Sequence, residues 1–329
     1  MRVFSGIQPT GQKHLGNYIG AIRHYVADQA LGEAFYCIVD LHAITMPYDP
    51  ETLAENTVDT AATLLAAGLE PGRCTLFVQS HVHEHAEAAW LLGAVSTFGE
   101  LRRMTQFKEK SHGQDSVSVG VFTYPVLQAG DILLYQADRV PVGDDQRQHL
   151  ELARDIAQRF NHRYGETFVL PEAAIPSSGG RVMDLQSPTA KMSTTGGTPQ
   201  GTVMVTDPPD VVAKKIRSAV TDSGREVRRG EGKEGIVNLM EIYSVATGAT
   251  PEQIEAEFDG AGYGDFKGAV AEAVVDILRP VRERYLELRG DEAELRRVLD
   301  AGADSARAVA GPTLALMKER MGFRSGPSG

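Results

Sequence analysis

Along the first half of the chain, short apolar runs alternate with longer amphipathic stretches, and few folds accept that order. Residues 3–7, 35–40, 75–80 and 139–143 read as buried strands, and residues 14–29, 51–68, 84–98, 120–136 and 145–160 as helices. Strands that are apolar along their whole length have both faces covered, which is the habit of a parallel sheet wrapped by helices. The expected fold class is therefore α/β, with ligands outside the carboxyl ends of the strands. After a Gly/Thr/Ser/Pro stretch at 193–203 the pattern turns almost wholly helical: 209–219, 235–247, 251–258, 264–288, 291–308 and 311–320. Asp210, Pro251 and Asp291 stand where a cap or a first-turn proline fits. The change of character falls within about residues 190–210.

With 329 residues the chain is long enough for two domains, or for one large domain with an appendage. No apolar run nears the ~20 residues of a membrane span. The N-terminus reads as a strand rather than a leader, so a cytoplasmic location is expected. Cys37 and Cys74 sit in apolar runs and read as small core residues in a reducing compartment. The net charge of −11 argues against a general nucleic-acid coat. A local patch survives that argument: residues 214–233 carry seven basic side chains against three acidic ones, and read equally well as an RNA contact or a solvated face.

The chain has no GxxxxGK[ST] and no CxxC, and GAGYGD (260–265) reads as a turn between helices. His81, His83 and His85 follow a strand, and the helix formers after them suggest a helix start with exposed histidines rather than a metal site. Two segments carry more chemistry. Residues 8–17, QPTGQKHLGN, follow the first strand and open a helix, a place where free backbone N–H groups face the strand tips. His14 and Asn17 lie on one side of the first turn, and an ordinary turn with a capping histidine fits them as well. Lys191, at the head of KMSTT, sits where a lysine on a glycine-rich loop can reach a phosphate chain.

Taken together and in order, HLGN and KMSTT resemble the HIGH and KMSKS signatures of class I aminoacyl-tRNA synthetases. SGIQPTGQKHLGNYIGA (5–21), IVDLHAIT (38–45), LRRMTQFKEK (101–110), TYPVLQAGDILLY (123–135), VPVGDDQRQHLELARDIAQRFN (140–161) and IRSAVTDS (216–223) are similar to bacterial tryptophanyl-tRNA synthetases through nearly the whole chain. The resemblance implies a Rossmann-like catalytic domain at 1–195, a dimerisation insert around 100–136, and an all-helical anticodon-binding region at 196–329. It implies ATP with Mg²⁺, L-tryptophan and tRNA(Trp) as ligands, a homodimer, and no resident metal. ATP would meet Gln8, Pro9, Thr10, Gly16, Asn17, Gly143, Asp144, Asp145, Val182, Lys191, Met192, Ser193, Thr194 and Thr195. His14, Asn17, Lys110 and Lys191 would serve the chemistry, which needs in-line positioning and charge stabilisation rather than a general base. Asp131 would accept the indole N–H; Phe4, Gly6, His42, Tyr124, Val140, Val142 and Gln146 would complete the amino-acid slot.

Three departures from the family pattern stand out. Thr194 replaces the second lysine of KMSKS, Leu41 a common glutamine, and Gln128 a common methionine. The spacing of Tyr124, Gln128 and Asp131 is also that of tyrosyl enzymes, which makes tyrosine the alternative substrate. Loss of the lysine at 194 leaves a non-catalytic paralogue as a third reading.

Overall fold

The structure is a computed structural model that describes residues 1–111, 116–175, 181–194 and 196–324. Its centre is a five-stranded sheet of β1 (Arg2–Ile7), β2 (Glu33–Ile38), β3 (Cys74–Val78), β4 (Arg139–Pro141) and β5 (Glu172–Ala174). The order is β3-β2-β1-β4-β5, and every pairing is parallel. Four of these strands stand where the apolar runs placed them. β5 is unforeseen: three residues, two of them exposed, give no periodicity to read.

Helices cross between strands. α1 (Leu15–Asn17), a π-helical turn (Tyr18–Ile22) and α2 (Arg23–Asp28) link β1 to β2. α3 (Asp40–Ala43) and α4 (Pro50–Ala66) link β2 to β3. α5 (Glu84–Gly93), α6 (Phe98–Arg103), α7 (Thr105–Ser111) and α8 (Val119–Leu133) link β3 to β4, and α9 (Arg147–Tyr164) follows β4. The expected helix 84–98 ends early, at Gly93, and α6 starts separately at Phe98, where Thr97 and Glu100 form a reciprocal cap.

Beyond these come α10 (Pro209–Arg217), α11 (Glu234–Thr247), α12 (Pro251–Glu257), α13 (Tyr263–Arg289) and α14 (Glu292–Arg320). The pattern predicts two helices here, 291–308 and 311–320. Instead α14 runs unbroken, because Ala310, Thr313, Leu314 and Met317 continue its buried stripe across the proline. Packing outweighs the proline penalty here, as it does at Pro125 in α8 and Pro280 in α13.

Strand alternation sorts the core into two layers. Val3, Tyr36, Ile38, Leu76 and Val78 face one cluster, which is filled by α10, α11 and α13. Phe4, Phe35, Cys37 and Phe77 face the other, filled by α5, α8, α9 and α14. Cys37 is buried, whereas Cys74 is only half-buried at the start of β3. No helix among the described residues is long and apolar enough to cross a membrane.

Candidate active site

β1 lies between β2 and β4, so the chain leaves it toward opposite sides of the sheet. That is the switch point at which a parallel sheet opens a crevice beyond its strand tips. A cavity of about 270 Å³ occupies the place. Phe4, Gly6, His42, Asp131, Val140, Val142 and Gln146 line it, seven of the eight residues expected in the amino-acid slot. Gln8 and Gly143, expected at the nucleotide, and Gln128 also line it. Tyr124 stands one layer back, its ring centroid 6.1 Å from that of His42 in an edge-to-face arrangement and its hydroxyl 2.8 Å from His149 Nε2. Gly6 has to be glycine, since a Cβ there would fall 2.9 Å from Val39 Cγ1.

Asp131 is 1% exposed, on the inward side of α8. His42 Nε2 donates to its Oδ2 at 2.7 Å. Gln79 Nε2 and His85 Nδ1 donate to its Oδ1, each at 2.7 Å. Burial alone would raise this carboxyl; the two imidazoles and the hydrogen bonds they donate outweigh it and hold Asp131 well below the usual carboxylate range. A carboxylate only accepts, so His85 carries its proton on Nδ1, and its Nε2 can accept from the Tyr135 hydroxyl at 2.8 Å. The result is a fixed, ionised acceptor at the side of a slot whose apolar wall is Phe4, Val39, Ile132, Val140 and Val142, with Ser5, Tyr25, His42, Gln128 and Gln146 also lining it.

Gln79, His85 and Tyr135 are the members of this network that the sequence reading missed. His81 and His83 are exposed as expected, but His85 is wholly buried. The signal was present: His85, Ala88 and Leu92 recur at helical spacing as one buried stripe of α5. Among the described residues no group of three or more His, Cys, Asp or Glu is placed to hold a metal.

The second group of expected residues gathers beside the mouth of the slot. After β1 the chain turns through Gln8–Lys13, with Gly11 at a φ of +71. His14 Nδ1 accepts from Asn17 N, and Asn17 Oδ1 accepts from His14 N, a reciprocal cap that starts α1. The proton of the neutral ring is therefore on Nε2. Burial, then the nearby charges of Lys191 and Lys13, bring the His14 pKa down to about 4, so the ring is uncharged at neutral pH. Its imidazole passes so near Gly16 that a Cβ there would lie 3.0 Å away, with Val182 at 3.6 Å on the other side.

Main-chain bonds tie the separate segments together. Leu15 N donates to Val203 O at 2.8 Å and Val205 N to Lys13 O at 2.9 Å. Met192 N donates to Val182 O at 3.1 Å, beside a bridge between Met183 and Lys191. A Cβ on Gly11 would come within 3.5 Å of Thr194 Oγ1, so the two signature loops face each other closely. Pro9 is buried beneath its loop and Thr10 is exposed; Met192 is buried and Ser193 half-buried on the facing one. Asp144 is paired with Arg147, and Asp145 accepts from Gln146 at 2.8 Å, in the turn after β4. Lys110 lies in α7, but its side chain, like all of Thr195, falls outside the described residues.

A family model for class I tRNA synthetases of the W and Y type matches residues 1–279. The tryptophan--tRNA ligase of Caldanaerobacter subterraneus subsp. tengcongensis is 54% identical over 323 residues, which is 98% of either chain. The tryptophan--tRNA ligase 2 of Streptomyces avermitilis is also 54% identical, over 98% of this chain and 97% of its own. Among solved structures, tryptophanyl-tRNA synthetase from Mycoplasma pneumoniae superposes with a TM-score of 0.89 at 38% identity, covering 98% of each chain. The enzyme from Campylobacter jejuni, crystallised with ADP and tryptophan, gives 0.84 at 36% identity, covering 98% of this chain and 100% of its own. Likeness of that degree, end to end over a sheet whose crevice holds these residues, shows that the chain belongs to the class I aminoacyl-tRNA synthetases, among the bacterial tryptophan--tRNA ligases.

Proposed function

We infer that the chain activates L-tryptophan with ATP and transfers it to tRNA(Trp). The observation that carries this reading is Asp131, an ionised and buried acceptor beside a slot walled by Phe4, Ile132, Val140 and Val142. An indole N–H entering there meets a carboxylate oxygen that is already aimed. His42, Gln79 and His85 already hold that carboxylate in place, so an indole N–H adds one further charge-assisted bond, which a side chain without a donor forgoes.

In the first step the tryptophan carboxylate attacks the α-phosphorus of ATP. The new acyl–phosphate bond forms as the bond to pyrophosphate breaks. The nucleophile needs no base, so the protein's work is alignment and stabilisation of charge on the phosphates. We assign His14 Nε2–H, a neutral donor, and the ammoniums of Lys191 and Lys110 to the phosphates. Gln8, Pro9, Thr10, Gly16, Asn17, Val182, Met192, Ser193, Thr194 and Thr195 then form the two loops around the nucleotide, and Gly143, Asp144 and Asp145 its far edge. Gln146, His42 and Tyr124 complete the amino-acid side. Magnesium would enter on the triphosphate: a cation that keeps waters and phosphates as ligands asks for no cage of protein side chains. In the second step the terminal ribose hydroxyl of the tRNA attacks the acyl carbon and AMP leaves.

The helical region from 196 on is assigned to the tRNA, with the catalytic part at 1–195 and an insert around 100–136 serving a homodimer. Within 214–233 many cations are already engaged. Lys215 pairs with Asp207, Arg228 with Glu226, Arg229 with Glu252 and Glu255, and Lys233 with Asp222. Lys214, Arg217 and Arg225 are exposed and remain the candidates for an RNA backbone. A cytoplasmic enzyme fits this work.

The test is exchange of labelled pyrophosphate into ATP. Tryptophan should support it and tyrosine should not rise above background. Equal exchange with tyrosine would mean that the Tyr124–Gln128–Asp131 spacing sets the substrate, and no exchange with either would leave a scaffold without catalysis.

A further inference from the structure

Lys13 is a lysine almost wholly withdrawn from solvent. It is 4% exposed, and its stem passes under the turn that precedes α1. Its Nζ donates to the carbonyl of Gln8 at 2.8 Å and to that of Gly11 at 3.2 Å. The residue's own carbonyl is held by Val205 N, so the base of the turn is anchored to the segment that follows the second signature loop. A trans, planar peptide points its C=O and its N–H in opposite directions. With the Gly11 carbonyl drawn onto Lys13, the Gln12 N–H faces the other way, on the exposed side of the loop. The same Gly11 meets Thr194, the position where the family's second loop lysine is missing.

We propose that Lys13 is a positioning residue for ATP: its ammonium ties the Gln8 and Gly11 carbonyls beneath the loop, turns the loop's amide edge toward the phosphates, and sets a positive charge behind the loop that faces Thr194. The inference rests on the synthetase reading above and names a residue that reading does not use. Burial brings the Lys13 pKa down to about 8, partly opposed by Asp59 of α4. Asp59 in turn accepts from the Tyr285 hydroxyl of α13. Among the described residues, His14, next in the chain, and Lys191 of the signature loop also stand at this corner. As pH rises through about 8 the ammonium loses its proton, and the tie loses its charge. Bound triphosphate favours the protonated form, so the loss should appear in KM for ATP rather than in kcat.

Lys13→Met keeps the stem and removes the charge; Lys13→Arg keeps a charge that does not titrate in this range. Both are measured by tryptophan-dependent pyrophosphate exchange between about pH 6.5 and about pH 9.5, against the unmodified chain. The unmodified chain should show KM for ATP rising about tenfold across the alkaline limb, the scale of one charge-assisted contact. Lys13→Met should start about tenfold high at neutral pH and stay flat, with KM for tryptophan and the thermal midpoint not worsened. Lys13→Arg should be flat at the low value. A Lys13→Met enzyme with unchanged KM for ATP, or one in which both KM values rise together, overturns the proposal. If that variant does not fold, an alkaline rise that persists in Lys13→Arg overturns it equally. Absence of exchange in the unmodified chain would fall on the synthetase reading instead, and equilibrium binding of ATP to the same three proteins then still reads the role of Lys13.

Discussion

At the scale of single residues, the slot depends on one carboxylate whose charge is secured by three donors. Asp131→Asn keeps the shape and removes the charge, and it forces an amide N–H toward groups that are themselves donors. KM for tryptophan should rise about 100-fold, near 3 kcal/mol, while KM for ATP moves less than about threefold. Comparable losses for both substrates would mean that Asp131 holds the fold rather than the ligand. Because the folded carboxyl titrates below its unfolded value, its contribution to stability is present above about pH 4 and drains away in more acid solution. Asp131 itself stood out in the sequence as an acid in the apolar run LQAGDILLY. Its supporters did not. Gln79 sits at a strand end and His85 on a helix, 52 and 46 residues from Asp131 in the chain, and no local pattern couples such positions. Lys13 was passed over for a similar reason: a lysine beside a signature histidine looks solvated until its Nζ is seen bonded to two carbonyls.

At the scale of elements, the strands and long helices were legible because burial on both faces imposes uninterrupted apolar runs and helical stripes. What escaped was short or was decided by distant packing. β5 is too brief to show a period, and α14 ignores a Gly-Pro step because its stripe continues across it. α14 also presses onto the sheet at Gly302, where a Cβ would fall 1.9 Å from the Leu76 carbonyl oxygen. Gly302→Ala should therefore destabilise the fold by about 1–3 kcal/mol, since helix and strand would have to part. Gly268→Ala, within α13 and with no side chain or distant backbone atom within 4 Å, should be neutral or slightly stabilising through helix propensity. Chemical denaturation of the two variants separates the cases. Equal behaviour would mean that α14 does not bear on β3 in solution.

At the scale of the whole molecule, the helices between β3 and β4 leave large apolar side chains exposed. Trp90 on α5 is 82% exposed, Phe98 on α6 is 68% and Val119 on α8 is 76%. Phe98, Phe122 and Phe107 continue the patch as a row of rings at centroid separations of 5.0 and 5.1 Å. A monomer rarely leaves so much large apolar surface together, and a two-fold pairing would cover it on both copies at once. Sedimentation should give twice the chain mass of 35.6 kDa, and a Phe98→Asp, Val119→Asp double variant should shift it to the single-chain value. A native protein already at the single-chain value would remove the dimer and leave the patch for another partner.

Trp90 is also the chain's sole tryptophan, and it lies outside the slot meant for the free amino acid. The protein thus carries its one indole on its outer face and keeps none where the ligand arrives. A tryptophan taken up from solution would exchange bulk water for a slot with Phe4, Ile132, Val140 and Val142 on one wall and emit further to the blue, while Trp90 continued to report its own exposed surroundings. With Trp90→Phe the background falls to tyrosine level, and the arriving substrate becomes its own label.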